Sequence, residues 1–375
     1  MRPTGRLHLG NYMGALHNWV QLQHDYECFF FIADLHALTT DYADPGPIQQ
    51  NVLDITLDFL SAGLDPGRSV IFKQSDVPAH SELNTLFSMI TPVPWLERVP
   101  TYKDQQAQLA EKELNTMGFL GYPLLQAADI LLYKPEFVPV GADQVAHVEL
   151  TREVARRFNQ FYPGEFFASP EAAPWEMGAI LEKARKNASE PKDSTRTNFT
   201  PHQLLAAAQG TKKLSPFGVR EILPEPNALL TPSPKLPGLD GRKMSKSYGN
   251  TLMLSEPEAD LRAKLKTMVT DPARVRRDDP GNPDVCPVFD LHKVFSTEAV
   301  QAEAAEGCRT AGIGCIECKS WVADAILAKI APVQEHRRDL EKRPDVVKDV
   351  LANGCTRARK RADATLAEVK SAMGL

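Results

Sequence analysis

Two short stretches of this chain have the residue types needed to manage a polyphosphate. The first is Arg2-Pro3-Thr4-Gly5-Arg6-Leu7-His8-Leu9-Gly10-Asn11, a Pro/Thr/Gly turn that feeds a helix start. Gly10 lets a nucleotide approach the backbone, His8 and Asn11 offer donors, and the helix end adds N–H groups and positive dipole. The second is Lys243-Met244-Ser245-Lys246-Ser247, behind Gly238-Leu239-Asp240-Gly241-Arg242. Two lysines three apart on a Gly/Ser loop suit a mobile clamp for a departing pyrophosphate. Such chemistry is won by positioning and charge stabilisation and needs no protein nucleophile. Each stretch also has a plainer reading, a capped turn for the first and a solvated basic loop for the second.

A third stretch, Gly121 to Tyr133, places Tyr122, Gln126 and Asp129 at i, i+4 and i+7, so one helix face carries three polar groups. A carboxylate sunk among Leu and Ile is costly unless paired. A neighbouring residue could satisfy Asp129, or a substrate could; a pocket of the second kind rejects analogues lacking the donor. A fourth constellation is Cys286, Cys308, Cys315 and Cys318, separated by 21, six and two residues. Cys315 and Cys318 can present two thiolates to one ion, and Gly312 and Gly314 allow a tight wrap. Four soft ligands suit Zn²⁺ or an iron–sulfur cluster. Cys28 and Cys355 read as small buried hydrophobes.

These groups need a scaffold. Cys28–Ala33, Ser69–Phe72 and Phe137–Val140 read as buried strands. Amphipathic helices are expected over Leu9–Gln23, Pro47–Ala62, His80–Ile90 and Phe119–Tyr133. The alternation predicts an α/β fold with a doubly wound parallel sheet, whose ligands sit at the carboxyl ends of the strands. Residues 163–240 are rich in Pro, Ser, Thr, Asn and Lys, with helices over Trp175–Lys186 and Pro201–Gln209, and read as an insertion ending in a mobile loop. From Ser255 the pattern is helical, broken at Pro272–Pro287. Residues 1–254 are therefore expected to form the Rossmann-like domain, with the insertion at about 163–235, and residues 255–375 a helical domain.

The 375 residues suffice for two domains, and 43% hydrophobic with 24% charged residues is a globular composition. No run approaches the roughly 20 apolar residues that span a bilayer, and no apolar signal core follows the N-terminus. The expectation is a cytoplasmic protein with no membrane partner, whose six cysteines are not disulfides. A net charge of −5 does not exclude nucleic acid where cations cluster, as in Thr356-Arg357-Ala358-Arg359-Lys360-Arg361.

Taken together, His8-Leu9-Gly10-Asn11 resembles the HIGH motif of class I aminoacyl-tRNA synthetases, and Lys243 to Ser247 matches their KMSKS motif letter for letter. The resemblance implies that His8 and Asn11 act on the ATP phosphates, supplied with Mg²⁺, and that Lys243 and Lys246 stabilise pyrophosphate. Arg2, Pro3, Thr4, Gly10, Leu236, Met244, Ser245 and Ser247 would line the ATP site, with Gly141, Ala142 and Asp143 at the ribose. Lys103 is a weaker phosphate candidate, better suited to a surface ion pair.

The Gly121–Tyr133 stretch resembles tryptophanyl-tRNA synthetases. So do Val138-Pro139-Val140-Gly141-Ala142-Asp143-Gln144, His147, Leu150, Arg152 and Arg157-Phe158-Asn159, and also Asp34-Leu35-His36-Ala37 and Gln74-Ser75-Asp76-Val77-Pro78. The resemblance implies that Asp129 accepts the indole N–H, that Tyr122 and Gln144 hold the amino-acid end, and that His36, Gln126, Val138 and Val140 neighbour the pocket. Tyrosyl-tRNA synthetases place similar groups on a similar helix, so Asp129 alone does not exclude tyrosine. The block from Ala128 to Gly141 favours tryptophan.

A subset of tryptophanyl-tRNA synthetases carries a [4Fe-4S] cluster on a similar cysteine pattern. Cys308, Cys315 and Cys318 match its spacing, while the gap from Cys286 is one residue shorter. A cluster is expected here, with structural Zn²⁺ as the alternative. The family implies a homodimer whose helical domain reads the anticodon of tRNA(Trp). Two departures stand out. The family's first strand, ahead of the Pro-Thr-Gly turn, is expected to be missing, and the segment before Lys243 is long. Two rivals remain at this stage: an adenylyltransferase for small molecules, and a synthetase-like protein that binds without catalysis.

Overall fold

The computed structural model describes residues 1–100, 102, 113–168, 174–191, 195–208, 217–230 and 234–375. Lys103 lies outside the described residues. The chain forms two compact units, each assembled from separate stretches of sequence. One comprises Met1–Val77, Val140–Ala142 and Leu230–Ala358, the other Pro78–Pro139, Asp143–Leu229 and Arg359–Leu375.

In the first unit, β1 (Phe29–Ile32) and β2 (Val70–Lys73) pair in parallel, with Phe29 opposite Val70 and Ile32 opposite Lys73. Phe30, Ile32, Val70, Ile71 and Phe72 are buried, while Phe29 and Phe31 on the alternate face of β1 are half-buried. The Met1 backbone lies against the end of β1, donating to Phe31 O and accepting from Ala33 N–H. At the carboxyl ends of these strands two expected motifs meet. Asp34 accepts from the Ser75 N–H and hydroxyl at 3.0 and 2.5 Å, and Gln74 Oε1 accepts from Leu35 N–H. His36 is buried on the Asp34–Asp41 helix that follows β1.

The Ile48–Ser61 helix buries Val52, Ile55 and Phe59 in one core with Leu7, Leu9, Leu236, Met244 and the C-terminal residues Val322, Ile326 and Ile330. The long Cys315–Glu341 helix supplies that last face. The following helix, Pro344–Met373, crosses β2 so closely that a Cβ on Gly354 would stand 1.7 Å from Ile71 O. Only glycine permits that approach.

In the second unit the Met117–Leu131 helix packs on Ala79–Ser88 and on Val145–Phe161. Asn159, expected to be a family marker, is structural: it donates to Leu223 O and accepts from Ile222 and Leu223 N–H, pinning that segment. Arg152 and Arg156 share Glu225, and Arg157 stacks over Trp95. The inserted segment builds a small core of its own from Ile180, Ala184, Phe199, Ala207 and Ala208, beside the antiparallel pair β4 (Phe166–Ala168) and β5 (Phe217–Val219). β3 (Phe137–Val140) pairs with β6 (Asn227–Leu230).

The expected strands and helices form within about two residues of their predicted ends. The main difference is inside the first helix, where Tyr12–Leu16 adopts a π turn between Leu9–Asn11 and His17–Leu22. Such turns recur at functional sites.

Candidate active site

The residues expected to handle phosphate gather in the first unit. His8 caps the helix starting at Leu9. Its Nδ1 accepts the Asn11 N–H at 3.2 Å, and Asn11 Oδ1 accepts the His8 N–H at 3.2 Å. With Nδ1 occupied as an acceptor, the ring's remaining proton sits on Nε2, which can donate outward. Burial, then Lys246 and Lys243, push the His8 pKa down to about 4, so the ring is neutral at physiological pH.

Lys246 arrives from 240 residues away and seats its ammonium on the carbonyls of Gly5 and Thr4, at 2.8 and 3.1 Å. Gly5 adopts φ +99°, a conformation side chains resist, and so turns its carbonyl to this cation. Burial pushes the Lys246 pKa down to about 8, against the pull of Asp58. Lys243 stays exposed. Leu236 and Met244 are buried with Leu7 and Leu9, and Met244 N–H donates to Leu236 O. The HIGH-like and KMSKS stretches thus share one place, although Arg2 is held by Thr40 and Asp41.

Two supports of this region escaped the sequence reading. Asn250 is 3% exposed and braces the lysine loop: its Oδ1 accepts from Ser245 N–H, and its Nδ2 donates to Asp240 and to Lys243 O. Asp58 accepts the Leu7 N–H at 2.8 Å and pairs with Arg337 at 2.5 Å, while Arg337 also pairs with Asp54 at 2.8 Å. Burial raises the Asp58 pKa, and Arg337 opposes that rise. A helix from the C-terminal third is therefore tied to the turn that presents His8. A buried polar residue followed by Gly-free loop letters, as at Asn250, gives no motif to find.

In the second unit Asp129 is 2% exposed. Its Oδ1 lies 2.6 Å from His80 Nδ1, and His80 Nε2 lies 2.9 Å from the Tyr133 hydroxyl. Of the two readings left open for Asp129, the plainer one thus has its partner, a histidine. Tyr122 shares that helix and is buried between the rings of Phe119 and His147, each with its centroid 5.6 Å away. Gln126 is half-buried on the same helix, and Gln144 caps the helix that begins at Val145. Val138 and Val140 are half-buried on β3, Gly141 is half-buried, and Ala142 and Asp143 are exposed.

The four cysteines cluster in the first unit as free thiols. Cys286 caps the Pro287–Phe295 helix, Cys308 lies in Glu298–Arg309, and Cys315 opens the helix that carries Cys318. Burial, and then the other three cysteines, push the Cys318 pKa up to about 12. Among the described residues no three His, Cys, Asp or Glu groups stand ready to hold a single ion. Two buried cations adjoin the thiols. Arg274 Nη1 is 3.9 Å from Cys308 Sγ, and its buried Nε has no hydrogen-bond partner. Lys319, also buried, donates to Lys266 O and Met268 O and feels Cys315, Cys286 and Cys318.

Among the described residues no helix is long and apolar enough to cross a membrane. Comparison with known proteins agrees with the motifs. The chain matches the family described as tRNA synthetases class I (W and Y) over residues 1–216 and 202–329. It is 49% identical to the tryptophan–tRNA ligase of Ralstonia nicotianae, covering 100% of this chain and 97% of that protein. It is 45% identical to the tryptophan–tRNA ligase of Thermotoga maritima, covering 100% and 98%. A solved structure of Campylobacter jejuni tryptophanyl-tRNA synthetase, complexed with ADP and tryptophan, superposes with a TM-score of 0.76 at 30% identity, covering 100% of this chain and 98% of that one. The chain, with its Rossmann-like α/β fold, therefore belongs to the class I aminoacyl-tRNA synthetases, among the bacterial tryptophan–tRNA ligases.

Proposed function

We propose that this chain condenses L-tryptophan with ATP to tryptophanyl-adenylate and pyrophosphate, and then passes the tryptophanyl group to the 3′ end of tRNA(Trp). The observation that carries the chemistry is the meeting of Lys246 with the Thr4–Gly5 turn beside a neutral, Nε2-protonated His8. His8 donates to a phosphate oxygen. Lys246 and Lys243 neutralise charge that develops on the departing pyrophosphate, the moment at which fixed cations lower the barrier most. Asn11 holds the His8 ring in that tautomer. ATP enters with Mg²⁺. Asp129 accepts the indole N–H, Tyr122 and Gln144 hold the amino-acid end, and Gly141 to Asp143 take the ribose.

Residues 1–254 then serve adenylation, and residues 255–375 face the anticodon. In the cationic run, Arg357 donates to Pro66 O and Ser69 O, while Arg359, Lys360 and Arg361 are exposed and suit phosphate contact. We place the enzyme in the cytoplasm as a homodimer. Cys286, Cys308, Cys315 and Cys318 would hold a [4Fe-4S] cluster, with Arg274 and Lys319 balancing its charge; the group would supply structural cross-linking of the surrounding helices. Protein purified without oxygen should aminoacylate tRNA(Trp) with tryptophan and carry iron and sulfide. Absence of charging would refute the activity, and zinc in place of iron would refute the cluster.

A further inference from the structure

The Asp129 carboxylate does not stand alone in its helix. Tyr133 follows it by four residues, on the same face, and His80 from the neighbouring Ala79–Ser88 helix bridges the two. All three are buried, at 2%, 7% and 0% exposure. A carboxylate accepts from a ring N–H, so His80 Nδ1 donates to Asp129, while its Nε2 is held by the Tyr133 hydroxyl 2.9 Å away. Tyr133 thus fixes the ring orientation that presents Nδ1 to Asp129.

Resting on the reading of Asp129 as the acceptor of the indole N–H, we infer that His80, locked by Tyr133, is a positioning residue that sets discrimination for substrates bearing that donor. Without it, the carboxylate can swing about its terminal torsion, which is broad. A purely packing histidine would affect every substrate alike. A positioning histidine affects those that donate to Asp129 more than those that do not.

The test compares tryptophan with β-(3-benzothienyl)alanine, the isostere in which sulfur replaces the indole N–H. Tryptophan-dependent and analogue-dependent ATP–pyrophosphate exchange are measured on the same preparation, so the ratio of the two kcat/KM values cancels any loss of folded enzyme. His80→Gln, which lacks a donor at the Nδ1 position, should lower the ratio about tenfold. His80→Asn, which keeps a donor there, should stay within about threefold of the parent. Tyr133→Phe should lower the ratio about threefold by freeing the ring orientation. Asp129→Leu, which keeps the bulk and has no acceptor, serves as the reference. If it collapses the ratio while His80→Gln leaves it unchanged, His80 only packs. If Asp129→Leu also leaves the ratio unchanged, the role of Asp129 itself is wrong.

Discussion

The proposed phosphate site and the proposed amino-acid pocket are built on opposite plans. The phosphate site is a meeting of loops. Its cation rests on backbone carbonyls, its histidine is capped by a backbone N–H, and Lys243 remains in solvent. The pocket residue Asp129 is locked inside packed helices by a chain of side chains, His80 and Tyr133. Pyrophosphate departure needs a clamp that can follow moving charge, and a loop lysine provides it. Discrimination between amino acids needs an acceptor that does not yield, and burial provides that. Rate and selectivity should therefore separate when each region is perturbed.

The largest separation is expected for Lys246→Ala. It should lower kcat for tryptophan-dependent exchange by about 10²- to 10³-fold, with the preference for tryptophan over the sulfur isostere unchanged. A change in that preference would show that the two regions do not act separately. Asn250→Ala is next. Loss of its bonds to Ser245, Asp240 and Lys243 should slacken the lysine loop and cost about tenfold in kcat, since one misplaced charge is removed only part of the way. An unaltered kcat would mean that the loop needs no brace.

The smallest effect is the pH dependence. In the proposed mechanism the Lys246 ammonium is the form that binds phosphate, and burial holds its pKa down to about 8. Raising the pH from about 7.5 to about 8.5 should therefore lower kcat/KM for ATP about threefold. His8, held at about 4, adds no inflection near neutrality. Stability has the opposite sign. Between about 8 and 10.5 the unfolded chain binds more protons at this lysine than the folded one, so folding is favoured as pH rises. A flat profile up to pH 9 in the lysine enzyme would remove Lys246 from the free-enzyme site.

What was legible in the sequence follows the same division. The phosphate site could be read because its parts are contiguous: His8 to Asn11 and Lys243 to Ser247 each keep a recognisable order. Asp129 was visible as a polar residue on an apolar helix. Its partner was not, because His80 lies 49 residues away and no local pattern distinguishes a histidine aimed at a carboxylate from one in a core. The Asp58–Arg337 pair spans 279 residues and was invisible for the same reason. Strands and helices were legible from periodicity, but the π turn at Tyr12–Leu16 was not, since its composition continues the helical pattern. The gathering of Cys286, Cys308, Cys315 and Cys318 in one unit could be anticipated from their closeness along the chain, because all four fall within one short stretch.

The central claim is that this chain forms an adenylate of tryptophan and not of its nearest competitor. ATP–pyrophosphate exchange, run with tryptophan and with tyrosine on the same enzyme, tests it directly. Exchange should depend on tryptophan, with a kcat/KM at least about 10³-fold above that for tyrosine. Exchange driven by tyrosine, without a response to tryptophan, would contradict it.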